Sequence, residues 1–67
     1  MFREYDVVEL MESLSAFLKA GTRGAIVMVY PGERPEYEVE FVDANGRTIQ
    51  VCAVSPDKIR LVTRGEQ

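Results

Sequence analysis

The sequence contains no histidine and a single cysteine, Cys52. One thiol cannot close an internal disulfide, so an oxidising compartment offers the chain nothing and a reducing cytoplasm is the expected location. Without a histidine beside it, Cys52 lacks the usual base of a nucleophilic cysteine. The same two counts leave zinc without its ordinary ligands. The expected role of Cys52 is that of a small apolar group on the outer face of a strand. No metal and no other cofactor is expected.

Long apolar runs are missing as well. The longest, Ala25 to Tyr30, falls far short of the roughly 20 residues of a membrane span. The opening Met1-Phe2-Arg3-Glu4-Tyr5-Asp6 has no charged-then-apolar signal pattern, so no membrane partner is expected. Nor is there an excess of basic charge: 8 cations stand against 11 anions, a net −3. Binding nucleic acid through bulk electrostatics needs a basic patch that displaces counterions. The one concentration of cations is the C-terminal trio Lys58, Arg60 and Arg64. Internal repeats, low-complexity tracts and linkers are absent.

What remains is enough for one domain, residues 1–67. Ordering a chain of this size costs on the order of 100 kcal/mol, which a small core only just offsets. The apolar fraction, 46%, is that of a globular domain rather than a disordered segment. The expectation is a folded unit that gains stability from a partner or a second copy.

Gly and Pro punctuate the chain. Gly21 and Gly24 bracket one turn, Pro31-Gly32-Glu33-Arg34-Pro35 reads as a loop, and Asp43-Ala44-Asn45-Gly46 and Ser55-Pro56-Asp57 read as turns. Between them lie runs rich in Val, Ile, Tyr and Phe, at Ala25 to Tyr30, Tyr37 to Val42, Thr48 to Val54 and Ile59 to Val62. Short strands at this spacing predict a meander that curls into a small barrel or sandwich. Thr63 to Gln67 is polar and expected to fray, the fraying beginning at residue 62.

Tyr37, Val39 and Phe41 alternate with Glu36, Glu38 and Glu40, the pattern of a half-buried strand. Ile49, Val51 and Ala53 alternate with Thr48, Gln50 and Cys52 on the return strand. A two-residue turn at Asn45-Gly46 would set Phe41 opposite Gln50 and Glu40 opposite Val51, mixing the faces. A three-residue loop, Ala44-Asn45-Gly46, pairs Phe41 with Ile49, Val39 with Val51 and Tyr37 with Ala53. That second register is the expected one, with Gly46 in the left-handed conformation of a bulge. The first third of the chain reads two ways. Val7, Leu10, Met11, Leu14, Phe17 and Leu18 fit helical spacing, while Tyr5 to Leu10 also reads as a strand.

Asp6-Val7-Val8-Glu9-Leu10, Gly24-Ala25-Ile26-Val27, Tyr37-Glu38-Val39-Glu40-Phe41, Gly46-Arg47-Thr48 and Asp57-Lys58-Ile59-Arg60-Leu61 follow one another in an order that resembles a family of short bacterial chains, domain of unknown function 4926. The resemblance covers residues 5 to 62. It implies an all-β, five-stranded SH3-like barrel with a first strand at residues 5 to 10 and a long loop or short helix at residues 11 to 21. The proline such chains often carry in that loop is replaced here by Ser13-Leu14-Ser15-Ala16-Phe17. The resemblance implies no activity.

No catalytic site is expected. Glu36, Glu38 and Glu40 sit at i, i+2 and i+4, about 7 Å apart, too far to converge on one cation. They read as a solvated face that discourages edge pairing. Asp43 shapes its own turn, and Asp57 is expected in a single helical turn after Pro56. Gly21-Thr22-Arg23-Gly24 has neither the lysine nor the helix of a phosphate loop and reads as a strand-entry turn. Surplus apolar residues are the more informative feature. Leu14, Phe17, Leu18, Val27, Val29 and Val42 are more than a monomer usually leaves exposed, with Val54 also expected to face outward. They form the expected contact surface for another protein or for a second copy. The leading expectation is therefore a non-enzymatic interaction module, an antitoxin-like or immunity-like accessory that masks a bacterial partner. The alternative is a small nucleic-acid-binding barrel using Arg23, Tyr30, Arg34 and Arg47, which the acidic balance disfavours.

Overall fold

Val8 and Leu10 point inward and Val7 and Glu9 point outward along the first strand, so the period-two pattern that could equally have been helical is settled as β. The computed structural model describes residues 1–65. The strands are β1 (Val7–Leu10), β2 (Arg23–Tyr30), β3 (Glu36–Val42), β4 (Thr48–Val54) and β5 (Ile59–Thr63), with one 3₁₀ turn at Pro56–Lys58. They form a single antiparallel sheet in the order β4-β3-β2-β1-β5. The fold is all-β and five-stranded. It is an open sheet rather than a closed barrel, because the 3₁₀ turn joins edge strands β4 and β5 at one corner and no ladder runs between them.

The core gathers Val8, Leu10, Leu18, Ile26, Tyr37, Val39, Phe41, Val54 and Ile59. Phe2 closes it from the N-terminus, edge-on to Tyr37 with ring centroids 5.2 Å apart. Gly24 lies opposite Phe41. A Cβ there would stand 2.6 Å from the Glu40 carbonyl oxygen and 2.7 Å from Val39 Cγ1, so only glycine lets β2 and β3 approach this closely.

The β3–β4 register differs from the expected one. The three-residue loop is present: the Asp43 N–H donates to the Arg47 carbonyl at 2.9 Å, and Gly46 has φ +83°. Val42 then pairs with Thr48, but Phe41 pairs with Gln50, Val39 with Cys52 and Tyr37 with Val54. The ladder shifts by one residue at Ile49, a bulge that turns Ile49, Val51 and Ala53 to the outer side. Cys52 and Val54 are the inward residues. An edge strand need not bury its most apolar alternation, and this one does not. A second bulge, at Val27 in β2, brings Val29 opposite Tyr37 against the core and turns Met28 outward, opposite Glu38.

Residues 11–22 contain no helix. The loop is stitched by its serines. Ser15 Oγ accepts from the Phe17 and Leu18 N–H groups at 3.2 and 3.1 Å, Ser13 Oγ accepts from the Ala20 N–H at 3.0 Å, and the Leu14 N–H donates to the Leu18 carbonyl at 2.8 Å. Serine bonds to nearby backbone in this way compete with helix formation. The expected fraying is corrected for residues 62–65. Val62 and Thr63 belong to β5, and Arg64 and Gly65 are bound to Asp6. Residues 66 and 67 lie outside the described residues.

Candidate functional site

The aspartates are engaged in holding the fold together. Asp6 is completely buried. It accepts from the Gly65 N–H at 2.7 Å, the Arg3 N–H at 2.8 Å and Arg64 Nη1 at 2.8 Å. Burial pushes its pKa up, but these donors outweigh burial and hold it below the ordinary aspartate value. Asp43 Oδ1 accepts from the Asn45 and Arg47 N–H groups, each at 2.9 Å, which is the turn-shaping role expected of it. Asp57 accepts from the Ser55 hydroxyl within the 3₁₀ turn, which lowers its pKa.

Glu36, Glu38 and Glu40 line the outer face of β3. Glu38 accepts from the Tyr30 hydroxyl at 3.4 Å, and Glu40 accepts from the Thr48 hydroxyl. Among the described residues no group of three His, Cys, Asp or Glu side chains is arranged to hold a metal ion. Cys52 is half-buried, and burial followed by the Glu38 charge pushes its thiol above its ordinary value. It faces the core, not the outer surface as expected, because of the bulge at Ile49. Gly21 has φ +92°, and Gly21-Thr22 turns the chain into β2, as the strand-entry reading requires.

The structure divides the six expected contact residues. Phe17 is 77% exposed at the tip of the stitched loop, and Leu14 is exposed beside it in sequence. Leu18, in contrast, is 2% exposed and belongs to the core, so it is no contact residue. The same serine bonds that hold Phe17 out turn Leu18 in. Val27 is exposed at its bulge, while Val29 packs against the core and Val42 is half-buried on the outer face. Val54, expected outside, is buried.

Sequence reasoning missed Met28, Ile49 and Val51, all of them exposed, and named Tyr30, also exposed, only for the nucleic-acid alternative. Across the outer face Met28 lies opposite Glu38 and Glu38 opposite Ala53, while Ala25 lies opposite Glu40 and Glu40 opposite Val51. A row of carboxylates thus runs between two rows of apolar side chains. A shallow cleft of about 560 Å³ lies at the end of this face, between Ala20–Arg23 and Val42–Ala44, with Ile49 at its side.

Arg23, Tyr30, Arg34 and Arg47 do not gather at one place. Arg23 opens β2 and pairs with Glu9 at 3.7 Å, whereas Tyr30 closes the same strand. They are the two ends of an eight-residue strand, roughly 20 Å apart. Arg47 lies in the β3–β4 turn and Arg34 in the β2–β3 loop, at opposite ends of β3. The C-terminal trio is ion-paired: Lys58 with Glu12 at 3.4 Å and Asp57 at 3.9 Å, Arg64 with Asp6 at 2.8 Å, and Arg60 with Glu9, the carboxylate that Arg23 also uses.

Residues 4–61 match a family model described as a domain of unknown function, DUF4926. No curated protein and no solved structure matches the chain.

Proposed function

We propose a function for this chain, which belongs to the DUF4926 family, from its surface: it is a non-enzymatic protein-interaction module. The observation that carries this reading is the outer face of β2, β3 and β4, where Val27, Met28 and Tyr30 on one side of the β3 glutamates and Ile49 and Val51 on the other are exposed. Large apolar side chains exposed beside a charged row in this way fit a contact surface. Phe17, held in solvent by a serine-bonded loop, adds a second apolar anchor whose ordering cost is already met in the free chain.

An accessory that masks the surface of a bacterial partner in the cytoplasm, as an antitoxin or immunity protein does, fits a small acidic domain whose aspartates serve its own fold. Nucleic-acid binding has less support. Arg23, Tyr30, Arg34 and Arg47 do not converge, and the C-terminal cations are ion-paired.

The test is a native pull-down of the tagged chain from its host lysate, with protein and nucleic acid both analysed in the eluate. One stoichiometric protein that stays bound in high salt, and is lost with Phe17→Ser or Met28→Ser, supports the reading. An eluate of nucleic acid that disappears in high salt overturns it.

A further inference from the structure

The two edges of the sheet are unlike. β5 has five residues, carries Arg60, is flanked by Lys58 and Arg64, and is bulged where Val7 pairs with Thr63 and Val8 with Leu61. Charge, shortness and a bulge are the features that keep an edge strand from recruiting another strand. β4 has seven residues, Thr48-Ile49-Gln50-Val51-Cys52-Ala53-Val54, with no charge and no proline. Its one bulge lies near the turn, and Thr48, Ile49, Gln50, Val51 and Ala53 are all exposed. β3 occupies one side of it, and no strand among the described residues pairs with the other.

We infer that the outer edge of β4 accepts an extended segment of another protein as a sixth strand, and that this segment carries Arg or Lys at alternate positions. The inference rests on the protein-interaction reading and names the partner's chemistry. The main-chain groups of β4 supply the hydrogen bonds of strand addition. Charge supplies the selectivity. Outward side chains of an added strand lie beside Ile49, Val51 and Ala53, and two strand spacings, about 10 Å, from Glu38 and Glu40. A long basic side chain can lay its methylenes across Val51 and Ala53 and bring its charge to those carboxylates. A second copy of this chain offers no such match. It would present the same uncharged β4, with the two glutamate rows about 14 Å apart.

The test titrates the full-length, isotope-labelled chain with a capped nine-residue peptide alternating arginine and valine, and with its glutamate–valine counterpart. The amide resonances of Thr48 to Val54 are followed, and sedimentation is measured in parallel. The expected result is saturable shifts in β4 with the arginine peptide and binding at least about tenfold weaker with the acidic one. Val51→Lys places a gatekeeping charge on the exposed edge opposite Glu40 and is expected to weaken binding by about tenfold. Glu38→Gln with Glu40→Gln leaves the edge intact and is expected to remove the preference for the basic peptide.

Equal binding of both peptides, saturation without movement in β4, or a Val51-dependent dimer overturns the inference. If the arginine peptide leaves β4 unmoved while the pull-down still yields a salt-resistant protein that depends on Phe17 or Met28, this inference fails and the interaction reading stands. If the pull-down yields no such protein, it is that reading which fails.

Discussion

The N–H of Gly65 donates to Oδ1 of Asp6 at 2.7 Å, joining two residues 59 positions apart and fastening the C-terminal strand to the entrance of the first. Gly65 fits there only because it lacks a side chain. A Cβ would stand 2.4 Å from the Tyr5 carbonyl carbon. Tyr5 itself has φ +70°, a conformation costly for a side chain of its size, which this junction holds in place.

Asp6→Asn is therefore expected to lower stability by about 2 kcal/mol, since it removes a buried carboxylate that three donors require. The pH dependence has a definite sign. The folded pKa lies below the ordinary 3.8, so the carboxylate's contribution is complete above that value. It is lost as pH falls from there through the lower folded value. Urea unfolding between pH 7 and pH 3 checks this: the wild-type chain should lose more stability over that range than Asp6→Asn does.

Gly24→Ala is expected to cost about 3 kcal/mol or more, at the upper end of overpacking effects, because the new methyl meets the β3 backbone as well as the buried Val39 side chain. Thermal unfolding by circular dichroism measures it. An alanine exchange at Gly32 meets no atom within 4 Å, so its cost comes from the backbone strain of φ +148° and not from overpacking.

Phe17 and Leu18 are neighbours with opposite roles. Leu18→Ala should destabilise the chain by about 2–4 kcal/mol as a cavity opens in the core. Phe17→Ser should leave the unfolding midpoint nearly unchanged, because the ring is in solvent, and should abolish partner capture. Parallel denaturation and pull-down of the two variants separates packing from contact.

Much of the sheet was legible from the residues. The Glu36–Phe41 alternation fixed the faces of β3, and Asp43 to Gly46 announced a three-residue loop with a left-handed glycine. The β4 register was not legible, because Ile49, Val51 and Ala53 offer one apolar alternation and Cys52 and Val54 another. Only the bulge at Ile49 decides between them. Leu14, Phe17 and Leu18 share a helical period that the serine bonds of the loop override, so their burial could not be read from spacing. Asp6 was passed over for a similar reason: the donors that make it a buried anchor come from Arg3 and, across the length of the chain, from Arg64 and Gly65.

The central claim is that the outer face and free edge of β2–β4 form the contact surface. Amide hydrogen exchange, compared between the free chain and its purified complex, tests it most directly. The account predicts that Thr48 to Val54 exchange more slowly in the complex, while Ile59 to Thr63 at the opposite edge are unchanged. Protection confined to β5, or no change along β4, would contradict it.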